Sequence, residues 1–296
     1  MTKRVIVSLL ALGLLAAACA QEPSRTDGDA TEAGSFEGPV PTDAEAYPIV
    51  VSSEIVVGSN RFLVGLLDHQ DAPIGSPEIS VGARFFDLER SEEEPVSETE
   101  LSYLEMIPGE RGLYVATVEF DAAGKWGAEM DITGDGIDET IRTSFDVTEE
   151  SSTPEIGSPA PKSKTPTVRD AKLPTITTDP KPDRDFYQLS IRQAIQQERP
   201  FVVVFATPKF CSSAVCGPTL DIVKRVSKDF PRLNYVHVEV YTNLDDPGNL
   251  KLVDAVNEWG LPTEPWVFVV DRDGNVAAKF EGTVGTSELA GVLEEF

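Results

Sequence analysis

The sequence predicts a multi-domain chain, with an all-β sandwich over residues 48–148 followed by an α/β domain over residues 167–296. Three observations predict it. Between Tyr47 and Val147, short runs of β-branched and aromatic residues alternate with turn residues, with no helical period. After Phe186 the pattern changes to helical stripes alternating with continuously apolar strands. Between them, residues 149–166 are rich in Ser, Thr, Pro and Lys, the composition of a linker. A chain of 296 residues is long enough for two domains of ordinary size.

Seven runs make up the β region: Tyr47–Val51, Glu54–Gly58, Arg61–Leu67, Glu78–Phe86, Gly112–Phe120, Trp126–Ile132 and Ile137–Val147. The last two flank Thr133-Gly134-Asp135-Gly136, a hairpin signal. Asp131 to Asp138 looks like the start of an EF-hand calcium loop. That loop needs a bidentate Glu at its twelfth position, which here is Arg142, and its flanks should be helices, so the segment is read as a turn. Gly112-Leu113-Tyr114 followed by Gly124-Lys125-Trp126 resembles the G-x-Y and G-x-W pattern of immunoglobulin-like domains in bacterial envelope proteins. The resemblance implies an immunoglobulin-like sandwich.

The N-terminal residues bear on the compartment. Lys3 and Arg4 precede an apolar run from Val5 to Ala18, short for a membrane span and suited to the core of a signal peptide over residues 1–18. The run ends Leu15-Ala16-Ala17-Ala18-Cys19, which resembles the cleavage box of bacterial lipoproteins, although the Leu usually found three places before the cysteine sits one further out. The resemblance implies lipidation at Cys19 and a cell-membrane, extracytoplasmic location. Residues 19–47 are rich in Glu, Asp, Ser, Thr, Gly and Pro and read as a disordered tether. The chain carries 50 Asp and Glu against 25 Lys and Arg, a net charge of −25. That surface repels phosphate backbones and argues against nucleic-acid binding.

In the second domain, Phe186–Glu198 reads as a helix and Phe201–Phe205 as a strand buried on both faces. Pro218–Phe230 is helical, Asn234–Tyr241 a strand, and Asn249–Trp259 helical up to Gly260. Trp266–Val270 and Val276–Phe280 are strands around the turn Asp271-Arg272-Asp273-Gly274-Asn275. A last helix spans Thr286–Phe296, capped at Thr286 or Ser287. With Cys19 lipidated, two cysteines remain, Cys211 and Cys216, five positions apart in a compartment where disulfides persist. Five residues on a straight helix rise about 7.5 Å, so a bonded pair cannot share one regular helix and Cys211 must precede it. Pro218 is tolerated in a first helical turn, which puts Cys216-Gly217-Pro218 at a helix start, where the dipole favours a thiolate.

This order of elements, the cysteine pair after the first buried strand, Thr263-Glu264-Pro265 and the Asp271-Arg272-Asp273-Gly274 turn resemble the thioredoxin family over about residues 155–296. Ile156-Gly157-Ser158-Pro159-Ala160-Pro161 is similar to the entry of extracytoplasmic members of that family. The resemblance implies a thioredoxin-like fold, a cis Pro265 facing the cysteines, and thiol–disulfide exchange with protein thiols and disulfides of the cell envelope and a redox partner, with no cofactor. The spacing departs from the usual C-x-x-C. By order, Cys211 attacks and Cys216 resolves; by the fragment Cys216-Gly217-Pro218-Thr219, similar to C-G-P-C, the roles reverse. Two other functions compete. One is a non-catalytic binding lipoprotein with a structural disulfide. The other is a copper chaperone of the thioredoxin fold, which would need His237 as a ligand beside the two cysteines.

Overall fold

The computed structural model describes residues 35–36, 44–107, 109 and 111–296, which belong to one compact unit. The expected signal peptide over residues 1–18, Cys19 and most of the expected tether lie outside the described residues. Among the described residues no helix is long and apolar enough to cross a membrane.

Seven strands form the first half: β1 (Tyr47–Val50), β2 (Gly58–Leu67), β3 (Ser80–Asp87), β4 (Ser97–Ile107), β5 (Arg111–Phe120), β6 (Gly124–Gly134) and β7 (Ile137–Val147). They lie in one antiparallel sheet in the order β1-β2-β5-β4-β3-β6-β7. β4 joins its two parts by changing partner: Ser97–Leu101 pairs with β3 and Ser102–Ile107 with β5. The ends of the sheet meet where the Val57 amide donates to the Thr148 carbonyl at 3.0 Å and the Thr148 amide to that of Ile55 at 2.9 Å. The inward residues of β2, β3, β5, β6 and β7 place Phe62, Phe85, Phe120, Trp126 and Phe145 in one aromatic cluster, with ring centroids 4.9–6.5 Å apart. On the outer face, Phe36 packs against Phe86 over Gly127, with the Arg142 guanidinium 4.8 Å from its ring. The turn between β6 and β7 has Asp135 at φ 54° and Gly136 at φ 88°, the two positive angles of a type I′ hairpin.

The second half holds α1 (Ile191–Gln196), β8 (Phe201–Ala206), α2 (Cys216–Val226), β9 (Asn234–Glu239), β10 (Tyr241–Thr242), β11 (Lys251–Leu252), α3 (Asp254–Glu258), β12 (Trp266–Val270), β13 (Val276–Glu281) and α4 (Thr286–Leu293). Four strands form a mixed sheet in the order β13-β12-β8-β9, with β8 parallel to β9 and the other pairs antiparallel. Every residue of β8 and β12 is buried because both faces are covered. Val202, Val204, Val267 and Val269 pack with Leu220 and Val223 of α2 and Leu289 and Leu293 of α4. Phe201, Val203, Phe205 and Phe268 pack with Ile191 of α1 and Ala255, Val256 and Trp259 at α3.

This architecture corrects the expected fold class and family. The structure is predominantly β, 38% strand against 16% helix, with a nearly closed antiparallel sheet. The first seven strands are linked into one barrel-like sheet because β4 pairs with both β3 and β5. A C-terminal thioredoxin-like α/β fold is not supported; that half is described by its own small mixed sheet and short helices. Several expected elements also change for local reasons. The helix expected over Phe186–Glu198 is broken by two competing caps: Asp183 accepts from the Asp185 amide and starts a 3₁₀ turn at Arg184–Tyr187, and Ser190 opens α1 with a capping box to Gln193. The helix expected from Asn249 begins only at Asp254, because Lys251 and Leu252 pair with Thr242 and Tyr241. At α4 the N-cap is Gly285, whose amide donates to Glu288 at 3.0 Å. Glu54–Val57 leads into β2, which begins at Gly58, and β4 is a strand that the apolar pattern does not predict.

Candidate functional site

The loop Thr207–Val215 links β8 to α2 and carries Cys211; Cys216 is the first residue of α2. The loop is closed by backbone bonds from the Phe210 and Cys211 amides to the Thr207 carbonyl, at 3.2 and 3.0 Å, and from the Ala214 amide to the Cys211 carbonyl at 3.3 Å. Ala214 takes φ 62°, a left-handed conformation that costs a non-glycine residue about 1 kcal/mol or more and turns the chain into the helix. A disulfide joins Cys211 and Cys216, with Cα atoms 6.0 Å apart.

The two sulfurs differ in setting. Cys216 is fully buried, packed among Ala206, Leu220 and Val223. Cys211 is partly exposed. Its Sγ accepts the Cys216 amide at 3.4 Å, a donor at the N-terminus of the eleven-residue α2, and lies 3.2 Å from the Ser213 hydroxyl. Two donors and the positive end of a helix dipole favour negative charge on that sulfur. Ser213 is a neighbour that the sequence motif contained but that residue type alone did not single out.

Pro265, preceded by a cis peptide bond, starts the approach to β12. Its carbonyl accepts the Gly282 amide at 2.9 Å, and the Gly282 carbonyl accepts the Thr219 hydroxyl at 3.3 Å. Gly282 thus ties the Pro265 loop to the first turn of α2, three residues beyond Cys216. Cys211 and Cys216 are therefore brought together, and the Pro265 loop is held beside their helix. Cys19 lies outside the described residues.

A buried polar cluster supports the loop from below. His237 on β9 is enclosed: Nε2 donates to the Ala206 carbonyl at 3.0 Å, and Nδ1 lies 2.7 Å from the Tyr187 hydroxyl. In the neutral ring Nδ1 is then the acceptor toward Tyr187. Burial holds His237 down at about 4, with the Ala206 carbonyl opposing. Burial pushes the Glu239 carboxyl up, against the Thr178 amide and hydroxyl, each 2.7 Å from Oε2. The Thr178 hydroxyl in turn accepts the Lys209 amide of the cysteine loop at 3.2 Å. Lys224 on α2 pairs with buried Asp179 at 2.8 Å; burial opposes its charge, but Asp179 and Asp221 outweigh it and raise its pKa.

Both His237 ring nitrogens are engaged inside the fold, Nε2 on the Ala206 carbonyl and Nδ1 on the Tyr187 hydroxyl. Among the described residues no group of three or more His, Cys, Asp or Glu could hold a metal ion.

No protein-family model matches the chain, thioredoxin-like or other, and no curated protein matches it. Among solved structures it is similar to an engineered protein (13% identity over 36% of this chain and 20% of that one, TM-score 0.24). It is also similar to a putative superoxide reductase from Thermotoga maritima (12%, 37% and 90%, TM-score 0.24). A third similarity is to the Lin-41 filamin domain (14%, 37% and 97%, TM-score 0.20). The chain spans about a fifth of the first of these chains. At such scores the matches carry neither a family nor an activity to this protein.

Proposed function

We propose that this chain is a thiol–disulfide exchange protein whose working pair is Cys211 and Cys216, held on the outer side of the cell membrane by lipid on Cys19. The observation that carries the reading is the asymmetry of the pair. One sulfur is accessible and sits where two donors and a helix N-terminus stabilise a thiolate; the other is enclosed beneath it.

With the pair reduced, the Cys211 thiolate attacks one sulfur of a substrate disulfide. A Cys211–substrate mixed disulfide forms and the other substrate sulfur leaves as a thiolate. Cys216, as thiolate, then attacks Cys211 Sγ, the second substrate sulfur leaves, and the Cys211–Cys216 disulfide closes. Two electrons pass from the pair to the substrate, and the two released thiolates take up the protons the two cysteines gave up. The reverse sequence oxidises a substrate dithiol. Of the two registers open in the sequence, this setting favours Cys211 as nucleophile. The partners fitting this chemistry are envelope proteins with exposed disulfides or cysteine pairs.

The test is equilibration of the full chain with dithiothreitol redox buffers and turnover of insulin disulfides. A working pair has a potential above about −300 mV and reduces insulin. A pair that resists reduction below that value, in a chain inert toward insulin, is a structural staple and overturns the proposal.

A further inference from the structure

The two halves of the molecule meet at the turn that supports Pro265. Arg61, on β2 of the barrel-like half, has a side chain only 15% exposed. Among the described residues, every side-chain hydrogen bond it makes crosses to the mixed-sheet half. It donates to the carbonyls of Glu281 at 3.1 Å and Thr283 at 2.9 Å, and forks the Glu288 carboxylate at 2.6 and 3.0 Å. Its guanidinium also lies 5.8 Å from the Phe280 ring. The two carbonyls flank Gly282, the residue that binds both Pro265 and Thr219. A second strap reaches the same place. The Ser53 amide donates to both oxygens of Glu281, at 3.1 and 2.9 Å, and Glu281 accepts the Thr263 hydroxyl at 3.0 Å, two residues before Pro265.

We propose that Arg61 is a positioning residue for the disulfide site. It holds the 281–283 turn so that the Pro265 loop and the first turn of α2 keep a fixed spacing for an extended substrate segment. The inference rests on the exchange function proposed above, and it gives the barrel-like half a task within that function. A guanidinium suits the position because its planar fork spans two carbonyls and a carboxylate at once, which a single ammonium cannot do.

The experiment compares the full chain with Arg61→Ala and Arg61→Lys in the reduction of two disulfides. Insulin needs an aligned segment; hydroxyethyl disulfide is too small to use one. Misaligned reacting groups slow a reaction without changing their chemistry, so Arg61→Ala is expected to slow insulin reduction about fivefold or more while the small disulfide stays within about twofold. Arg61→Lys recovers no more than part of the loss, and the Gly282 amide exchanges faster with solvent in both variants. Should Arg61→Ala fail to fold, the same split in Arg61→Lys decides the matter. Equal slowing of both substrates, or an unchanged insulin rate in an active chain, overturns the positioning role alone. A parent chain inert toward both disulfides overturns the exchange function and this role with it.

Discussion

Lowering the pH from 7.5 to 5 should cost this protein stability through His237. The ring is fully buried, and its proton affinity is held down at about 4 against an ordinary 6.5. Above pH 7 the ring is neutral in both folded and unfolded chains and adds no pH dependence. As the pH falls through 6.5 the unfolded chain binds a proton that the folded one refuses, so stability drops, and the loss is complete below pH 4. The gap of about 2.5 pH units corresponds to about 3 kcal/mol when fully developed, and to about 2 kcal/mol at pH 5. Glu239 and Glu281, both raised by burial, run the other way and gain stability as they protonate in the fold. The effect must therefore be isolated by comparison. Urea unfolding at pH 7.5 and 5.0, on the parent chain and His237→Gln, separates it. The variant should be weaker at pH 7.5, having lost a fitted ring, but should lack the histidine part of the slope. A His237 ring resonance, assigned by its loss in His237→Gln, that titrates near 6.5 in the folded chain, or a variant that keeps the whole slope, would refute the reasoning.

Three further outcomes are expected. In Cys216→Ser the remaining Cys211 thiol should react with alkylating reagents at least about tenfold faster than the buried Cys216 thiol does in Cys211→Ser, measured by mass spectrometry against time. Gly260→Ala should cost about 1–3 kcal/mol in urea unfolding, because φ is +60° there and a Cβ would stand 2.0 Å from the Ser152 carbonyl oxygen. Phe85→Ala should cost about 3–5 kcal/mol by the same assay, since its fully buried ring touches those of Phe62, Phe120 and Phe145.

Local chemistry was legible in the sequence, and long-range closure was not. The apolar run Phe201–Phe205 identifies β8 because a strand covered on both faces cannot alternate. Asp135-Gly136 identifies its hairpin because both residues tolerate positive φ. β4 was hidden: Glu98, Glu100 and Glu105 alternate with residues of which only Leu101 is buried, so its apolar signal is faint. Yet β4, by changing partner between Leu101 and Ser102, joins the sheet into one surface. Apolar spacing persists through Phe186–Glu198 and suggests a longer helix than forms, because Asp183 and Ser190 each offer the backbone a fresh start. At the site, spacing and Pro218 put Cys211 ahead of the helix. The Cys216 amide on its sulfur, and an arginine more than 200 residues away bracing the Pro265 loop, depend on tertiary contacts that no local pattern encodes.

The fastening around Lys279 has a practical consequence. Its ammonium on β13 donates to the hydroxyls of Ser151 and Thr153, at 2.8 and 2.9 Å, and pairs with Glu54, which also accepts the Ser152 amide. The knot joins strand, connector and barrel at a point where a molecular biologist would cut the gene. A fragment beginning after residue 150 would carry this cation with its carboxylate partner amputated, and the complementary fragment would keep an orphaned acid. Expression of either piece alone invites aggregation, so chemistry on the cysteines belongs in the uncut polypeptide.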